Sequence, residues 1–291
     1  MELDSLKAFL AVSDCGSFSH AADRLHLTQP AVSKRIALLE HQLGCRLFDR
    51  IGRTVTLTDS GEALVRRAQL ILQQVEDTER AIRNLTGQIG GRLSIATSHH
   101  IGLWRLPAVL RTYIEAHPEV SLDLHFMDSE VAHERIVQGE LEMAIITLAP
   151  VTHERLIAEP IWRDELAFVC AARHELAARR TVSLAELARY PAILPDMTTF
   201  TGRIVKGMFE QEDLKLITGM STNYLETIKM LIGVGLGWSV LPKTMIDDDV
   251  VVLEIDAHIE RTLGVIHHVN RTLSNAGEAF LEMLRSTANV S

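Results

Sequence analysis

SFSHAADRLHLTQPAVSKRIALLEHQLGCRLFDRIGRTVTLT, residues Ser17–Thr58, spaces its apolar and turn-forming residues as short helices, a tight turn, a longer helix and a basic hairpin. Thr28 is placed to cap the longer helix, Gln29 and Pro30 fill a first turn in which a missing N–H costs nothing, and Gly44 stops it just past Leu43. Val32, Ile36, Leu39 and Leu43 recur at helical spacing, so they share one face that must pack on the helices before it. The opposite face is Pro30, Lys34, Ala37 and His41 with Ser33 at its shoulder, and it carries little bulk besides the lysine. Such a face suits a groove about 12 Å wide, the major groove of DNA, with the early residues against base edges.

The shorter helix is expected from His20 to Leu25, capped by Ser19, with Ala21 and Ala22 small enough for close approach and Leu25 and Leu27 anchoring the turn. Beyond the long helix, Arg46, Arg50 and Arg53 flank an Ile51-Gly52 corner, and Thr54 to Thr58 alternates as a short strand. That reads as a wing whose guanidinium groups meet phosphates or enter a minor groove. Between Arg24 and Arg53 six Lys or Arg stand against Glu40 and Asp49, so positive charge is concentrated where this winged helix-turn-helix, residues 1–58, would need it.

In Ala21-Ala22, Leu27 to Ser33 (LTQPAVS), Leu38-Leu39-Glu40, Gly44, Leu47-Phe48, Arg50 and Leu57 to Gly61 (LTDSG), the chain resembles the LysR-type transcriptional regulators. The resemblance implies a sequence-specific regulator that binds double-stranded promoter DNA, contacts RNA polymerase, assembles as a homodimer or homotetramer, and answers to a small-molecule effector. It also implies which residues meet DNA: Gln29, Pro30, Ser33, Lys34 and Arg35 from the helix, and Arg50, Arg53 and Thr54 from the wing.

With 291 residues, 47% of them apolar and 23% charged, the chain has the composition of a multidomain globular protein. Its formal charge of -9 looks wrong for a DNA binder until it is divided. Residues 1–90 hold eleven Lys or Arg and eleven Asp or Glu, and the remaining 201 residues hold 18 and 27, so the acidic excess lies outside the helix-turn-helix. A neutral reader with a local basic stripe implies that tight, salt-sensitive binding takes two copies. The N-terminus has no basic stretch before an apolar core, and no run approaches the ~18 apolar residues of a membrane span, so a cytoplasmic chain is expected. Cys15, Cys45 and Cys170 are isolated and signal neither a disulfide framework nor a metal site.

Residues 59–91 read as a linker. Asp59 with Glu62 suggests a capping box, and Leu64, Ala68, Ile71, Val75, Thr78, Ile82 and Leu85 form a heptad seam before Gly87, Gly90 and Gly91. Leu64, Ala68, Ile71, Val75, Ile82 and Leu85 are therefore the expected dimerisation residues, because a rod of roughly 40 Å is too long for the small domain to bury. The other possibility is an amphipathic helix lying on its own chain.

From Arg92 the pattern changes to alternating strands and helices. Strands are expected at Leu93–Thr97, Val120–Phe126 and Leu141–Ile146, with helices at Leu103–Ala116 and Glu130–Gln138 between them. A second set follows, with strands near Glu165–Ala171, Ala192–Leu194, Leu214–Met220 and Gly237–Leu241, and helices near Leu184–Arg189, Thr201–Gln211 and Asn223–Gly233. The chain returns through Leu263–Val269 into a helix near Ala276–Leu284. Repeated βαβ units imply an α/β fold with parallel sheets. Two such subdomains, 92–163 plus 265–291 and 164–264, resemble the two-lobed, periplasmic-binding-protein-like (type II) effector domain of the same regulators.

Ligands of such sheets sit at the carboxyl ends of strands, facing helix N-termini. Those positions hold Ser98, His99, His100, Ser129, Thr147, Thr198 and Thr199, with Asp128 and Thr201 beside them, and a small polar or anionic effector of unknown identity fits the hydroxyl groups. Which of His99 and His100 faces the cleft is open, and each hydroxyl has the alternative role of capping a helix. No cofactor, metal site or catalytic residue is signalled. Gly233-Val234-Gly235-Leu236-Gly237 follows a helix, the reverse of a nucleotide loop. His133-Glu134 lacks the second histidine of a zinc protease helix, and there is no GxSxG elbow. The alternatives to a regulator are a solute-binding protein or an enzyme using the two-lobed cleft.

Overall fold

The structure, a computed structural model, describes residues 1–51 and 54–288, with the backbone alone at Arg50, Ile51, Thr54 and Ala288. The chain divides into two compact units, Met1–Thr86 and Gly87–Ser291.

In the first unit, helices α1 (Leu3–Cys15), α2 (Phe18–Arg24) and α3 (Gln29–Leu43) are followed by a hairpin of β1 (Phe48–Ile51) and β2 (Thr54–Leu57), and by α4 (Asp59–Asn84). Leu6, Phe9, Val12, Phe18, Ala21, Val32, Ile36 and Leu39 form the core, with the Phe48 ring 5.4 Å from Phe9 and edge-on to Phe18. Ser17, not Ser19, caps α2 by accepting from His20 N–H. Burial of Phe18 in the core draws it into the first turn and starts the helix two residues early. Helix α3 has the expected bounds, with Thr28 accepting from Ala31 N–H and Gly44 left-handed at its end. Its apolar seam is one turn shorter than expected, because Val32, Ile36 and Leu39 are buried whereas Leu43 is 42% exposed. Thr58, not Asp59, caps α4: its hydroxyl accepts from Gly61 N–H and donates to the Arg46 carbonyl.

In the second unit one run of hydrogen-bonded strands joins two lobes. The first lobe holds β3 (Gly91–Thr97), α5 (His99–Trp104), α6 (Leu106–Ala116), β4 (Val120–Phe126), α7 (Ser129–Val137) and β5 (Met143–Thr147). The expected helix Leu103–Ala116 is two helices. The first begins at His99, and the chain turns at Arg105 so that Pro107 falls in the first turn of α6, where it is tolerated. Strand β6 (Leu156–Cys170) then crosses to the second lobe, which adds α8 (Leu184–Leu187), β7 (Ala192–Leu194), α9 (Phe200–Gln211), β8 (Thr218–Ser221), α10 (Leu225–Gly233), β9 (Trp238–Pro242) and β10 (Val251–Val252). Strand β11 (Glu260–His268) returns and α11 (Asn275–Ala288) closes the first lobe.

Strand order among the described residues is β4-β3-β5-β11-β6-β9-β7-β8, with β10 on β6. Parallel pairing holds for β3 with β4 and β5 and for β7 with β8 and β9, but the crossing strands β6 and β11 are antiparallel to their neighbours. Strand β6 begins nine residues before the expected Glu165. Pro160 is accommodated in this strand because it sits where the β6–β11 register shifts opposite Leu263 and Gly264, a bulge that tolerates proline. The first lobe is packed by Leu93, Ile95, Tyr113, Ile145, Val265 and Phe280, and the second by Phe168, Leu194, Phe209, Trp238 and Val240.

Candidate functional site

The first unit presents the outer face of α3. Gln29, Pro30, Lys34, Ala37 and His41 are exposed and Ser33 is half-buried. Gln29 Nε2 donates to Ser33 Oγ at 2.9 Å, which holds the amide along the helix start. Arg35 turns the other way, toward Asp4 of α1 at 3.0 Å, which takes it off the face that Lys34 occupies. Glu40, on the inner side, accepts from Leu47 N–H at 2.7 Å and so fixes the start of the hairpin to α3. Arg50 and Thr54 lie in the paired strands, Arg50 opposite Val55 and Ile51 opposite Thr54, while Gly52 and Arg53 of the expected wing tip fall outside the described residues.

Of the expected linker seam, Ala68 is buried in the core of its own unit, and Leu64 and Ile71 pack partly against it. Ala68 is thus unavailable to a second copy, because α1 and the hairpin cover the first turns of α4. Leu70, Ile71 and Val75 line an open apolar face further along, and Ile82 and Leu85 are 63% and 86% exposed.

The second unit has a cavity of about 50 Å³ between its lobes, lined by Ser98, His99, His100, Ser129, Thr147 and Thr199 together with Asp128, Glu130, Thr201, Asn223 and Arg261. Thr198 is outside it, its hydroxyl turned to Asp196 Oδ1 at 2.7 Å. Thr199 reaches the cavity as the cap of α9, accepting from Gly202 N–H at 3.0 Å and donating to the Asp196 carbonyl, so most of its hydrogen-bonding capacity is structural. Ser98 stands at the start of α5 without capping it, and Ser129 Oγ accepts from Thr147 N–H at 3.2 Å. Both histidines line the cavity. The His99 ring packs between Phe126 and Tyr224, and His100 is 5% exposed with neither ring nitrogen hydrogen-bonded among the described residues.

Sequence reasoning missed the charged group at the centre of this arrangement. Asp164 and Arg261 are directly opposite on β6 and β11, where the two strands cross between lobes, and they pair at 2.8 Å. Asp164 is 1% exposed and also accepts from Arg105 at 3.2 Å, with His100 Nε2 3.7 Å away. Arg261, 8% exposed, gives Nε to Asp164 and Nη1 to Thr201 Oγ1 at 2.9 Å, and its Nη2 has no partner among the described residues. Burial, reinforced by the Arg261 charge, lowers the His100 pKa from 6.5 to about 4, so the ring is neutral near pH 7. The lobes are bridged by Asn223 Nδ2 donating to Asp128 Oδ2 at 2.7 Å, Trp104 Nε1 donating to Glu226 at 3.0 Å, and Phe200 N–H donating to Glu130. Burial raises the Glu130 pKa, against the opposing pull of the Phe200 N–H. The available signal was charge at the margins of apolar strands: Asp164 and Arg261 each lie just outside the strands expected at Glu165–Ala171 and Leu263–Val269.

Residues 3–62 match the bacterial regulatory helix-turn-helix protein family named lysR, and residues 86–289 match the LysR substrate binding domain. The chain belongs to the LysR family. It is a DNA-binding transcriptional regulator with an effector-binding domain. A probable RuBisCO transcriptional regulator of Synechocystis is 31% identical over 96% of this LysR-type chain and 84% of its own. The same fold occurs in full-length OxyR of Pseudomonas aeruginosa, at TM-score 0.70 and 24% identity over 98% of both chains. It occurs also in CbnR complexed with its target DNA, at TM-score 0.69 and 22% identity over 99% of this chain and 100% of that one. Among the described residues no helix is long and apolar enough to cross a membrane, and no cluster of three or more His, Cys, Asp or Glu is arranged to hold a metal ion.

Proposed function

We propose that the cavity between the lobes binds a small polar or anionic metabolite, and that its occupancy sets how this regulator holds promoter DNA. The carrying observation is the buried Arg261, which lines the cavity with Ser98, Ser129, Thr147 and Thr201 and has an Nη2 with no hydrogen-bond partner among the described residues. Polar donors converging in a small enclosed space at strand ends are what a polar ligand requires. Gln29, Pro30, Ser33 and Lys34 meet the duplex from α3, with Arg50, Arg53 and Thr54 on the wing. Two or four copies assemble through the exposed part of α4, chiefly Ile71, Val75, Ile82 and Leu85, which places paired reading helices on successive half-sites. The protein acts in the cytoplasm, touches RNA polymerase at the promoter, and performs no catalysis and needs no cofactor.

A thermal-shift screen of metabolites, followed by operator binding with and without each hit over a range of salt, tests this reading. A stabilising metabolite is expected to change operator affinity, and the absence of any such metabolite would remove the effector half of the proposal. Solution scattering that shows single protomers with and without operator DNA would remove the pairing through α4.

A further inference from the structure

Glu130, the second residue of α7 in the first lobe, reaches across the cavity and accepts the N–H of Phe200, the first residue of α9 in the second lobe. It has no ion-pair partner among the described residues, and it is half-buried. A carboxylate in that position neutralises the positive end of a twelve-residue helix, a place that favours an anion of any origin. The second observation is independent of the helix. Arg261 lines the same cavity, is more than nine-tenths buried, and has an Nη2 with no acceptor among the described residues, although a buried guanidinium normally commits all its donors. The site therefore holds two carboxylates that belong to the protein, Asp128 committed to Asn223 and Glu130 committed to the Phe200 N–H, and one cationic donor group without an acceptor among the described residues.

We propose that Glu130 is a built-in competitor for the effector: its carboxylate holds the N-terminus of α9 until a ligand carboxylate or similar oxyanion, anchored on Arg261 Nη2, displaces it. This rests on the reading of the cavity as the effector site. Displacement exchanges one acceptor of the Phe200 N–H for another, so the helix end stays neutralised while the tie between α7 and α9 is released. Asn223 to Asp128 and Trp104 to Glu226 then remain as bridges, and the lobe contact is altered by ligand chemistry alone. The selectivity follows from the same geometry. A neutral ligand can accept from the Phe200 N–H but brings no charge to the helix end or to Arg261, and a ligand with one anionic group must outcompete a tethered one.

Sulfate and acetate are titrated by calorimetry, at constant ionic strength in weakly binding buffer, into the full chain and into Glu130→Ala, Glu130→Gln and Glu130→Ala/Arg261→Lys. Removal of the tethered charge is expected to tighten sulfate or acetate binding by roughly tenfold or more, the scale of one like charge at the same donors. Glu130→Gln keeps an acceptor for Phe200 N–H and is expected to fall between the wild type and Glu130→Ala. The double variant, which keeps a charge beside Asp164 but loses Nη2, is expected to lose the gain. Equal affinities in wild type and Glu130→Ala, or a gain that survives Arg261→Lys, would overturn the proposal. A metabolite that binds both proteins equally and changes operator affinity would overturn it while leaving the effector site standing. Tightened sulfate binding with no metabolite response at the operator would uphold the competitor and remove the effector reading.

Discussion

Replacing Asp164 by alanine should destabilise the effector-binding unit by about 3–5 kcal/mol, because it strips the counter-charge from a guanidinium, that of Arg261, that cannot reach water. Asp164 is 1% exposed and is the acceptor for Arg261 Nε at 2.8 Å and Arg105 Nη2 at 3.2 Å. The Arg105 side chain is 20% exposed, so its charge is in part hydrated already. That of Arg261 is not, since its Nη1 is held by Thr201 and the rest of the group is buried on the crossing strand. The cost is therefore that of one stranded guanidinium together with two lost charge-assisted hydrogen bonds. Trp104, Trp162 and Trp238 are the three tryptophans of the chain and all lie in the second unit, so urea unfolding followed by tryptophan emission reads this unit selectively. Replacing the pair together, Asp164→Leu with Arg261→Met, should recover most of the loss, as buried ion pairs exchanged for apolar pairs of similar volume commonly do. A loss below about 1 kcal/mol for Asp164→Ala, within the range of ordinary surface changes, would refute the view that the strand crossing is held by a desolvated ion pair.

Stability of the same unit should fall as the solution is acidified from pH 6.5 toward pH 4. His100 titrates at about 4 in the fold and near 6.5 unfolded, so the unfolded chain binds the extra proton throughout that window, to a limit of about 3 kcal/mol. Arg261 and Arg105 disfavour the charged ring while Asp164 and Glu226 favour it, and His100→Gln should flatten the slope; an unchanged slope would remove His100 as its source. Gly61→Ala places a Cβ 2.2 Å from the Leu47 carbonyl oxygen and 2.9 Å from Leu57 Cδ2, and should cost the first unit about 1–3 kcal/mol. Faster amide hydrogen exchange across α3 and α4 would register that cost, and wild-type protection would contradict it. Lys34→Ala should weaken binding to many DNA sequences alike and reduce the salt slope by about one, whereas a loss confined to one base position would assign Lys34 to base readout.

Local pattern was enough wherever the physics is local. Thr28, Pro30 and Gly44 bound α3 because capping, a tolerated N-terminal proline and a left-handed stop act over a few residues, and Val32, Ile36 and Leu39 declare its inner face by spacing alone. The same holds for β4 and β7, whose bounds were legible, and for Ser98, His100, Ser129 and Thr147, which strand ends bring to one place. Leu43 and Ser19 were misplaced because burial of Phe18 and the reach of the neighbouring helices are tertiary facts.

The sequence by itself determined that this chain reads DNA with a winged helix and carries a two-lobed α/β unit, since periodicity, caps and a long motif are written in consecutive residues. Only the tertiary structure decided that α4 spends Ala68 on its own domain, that Asp164 and Arg261 meet where β6 and β11 cross, and that Glu130 lies against Phe200. Those partners are 97 and 70 residues apart along the chain, and strand crossing and lobe closure, not any local preference, determine which charges are desolvated together.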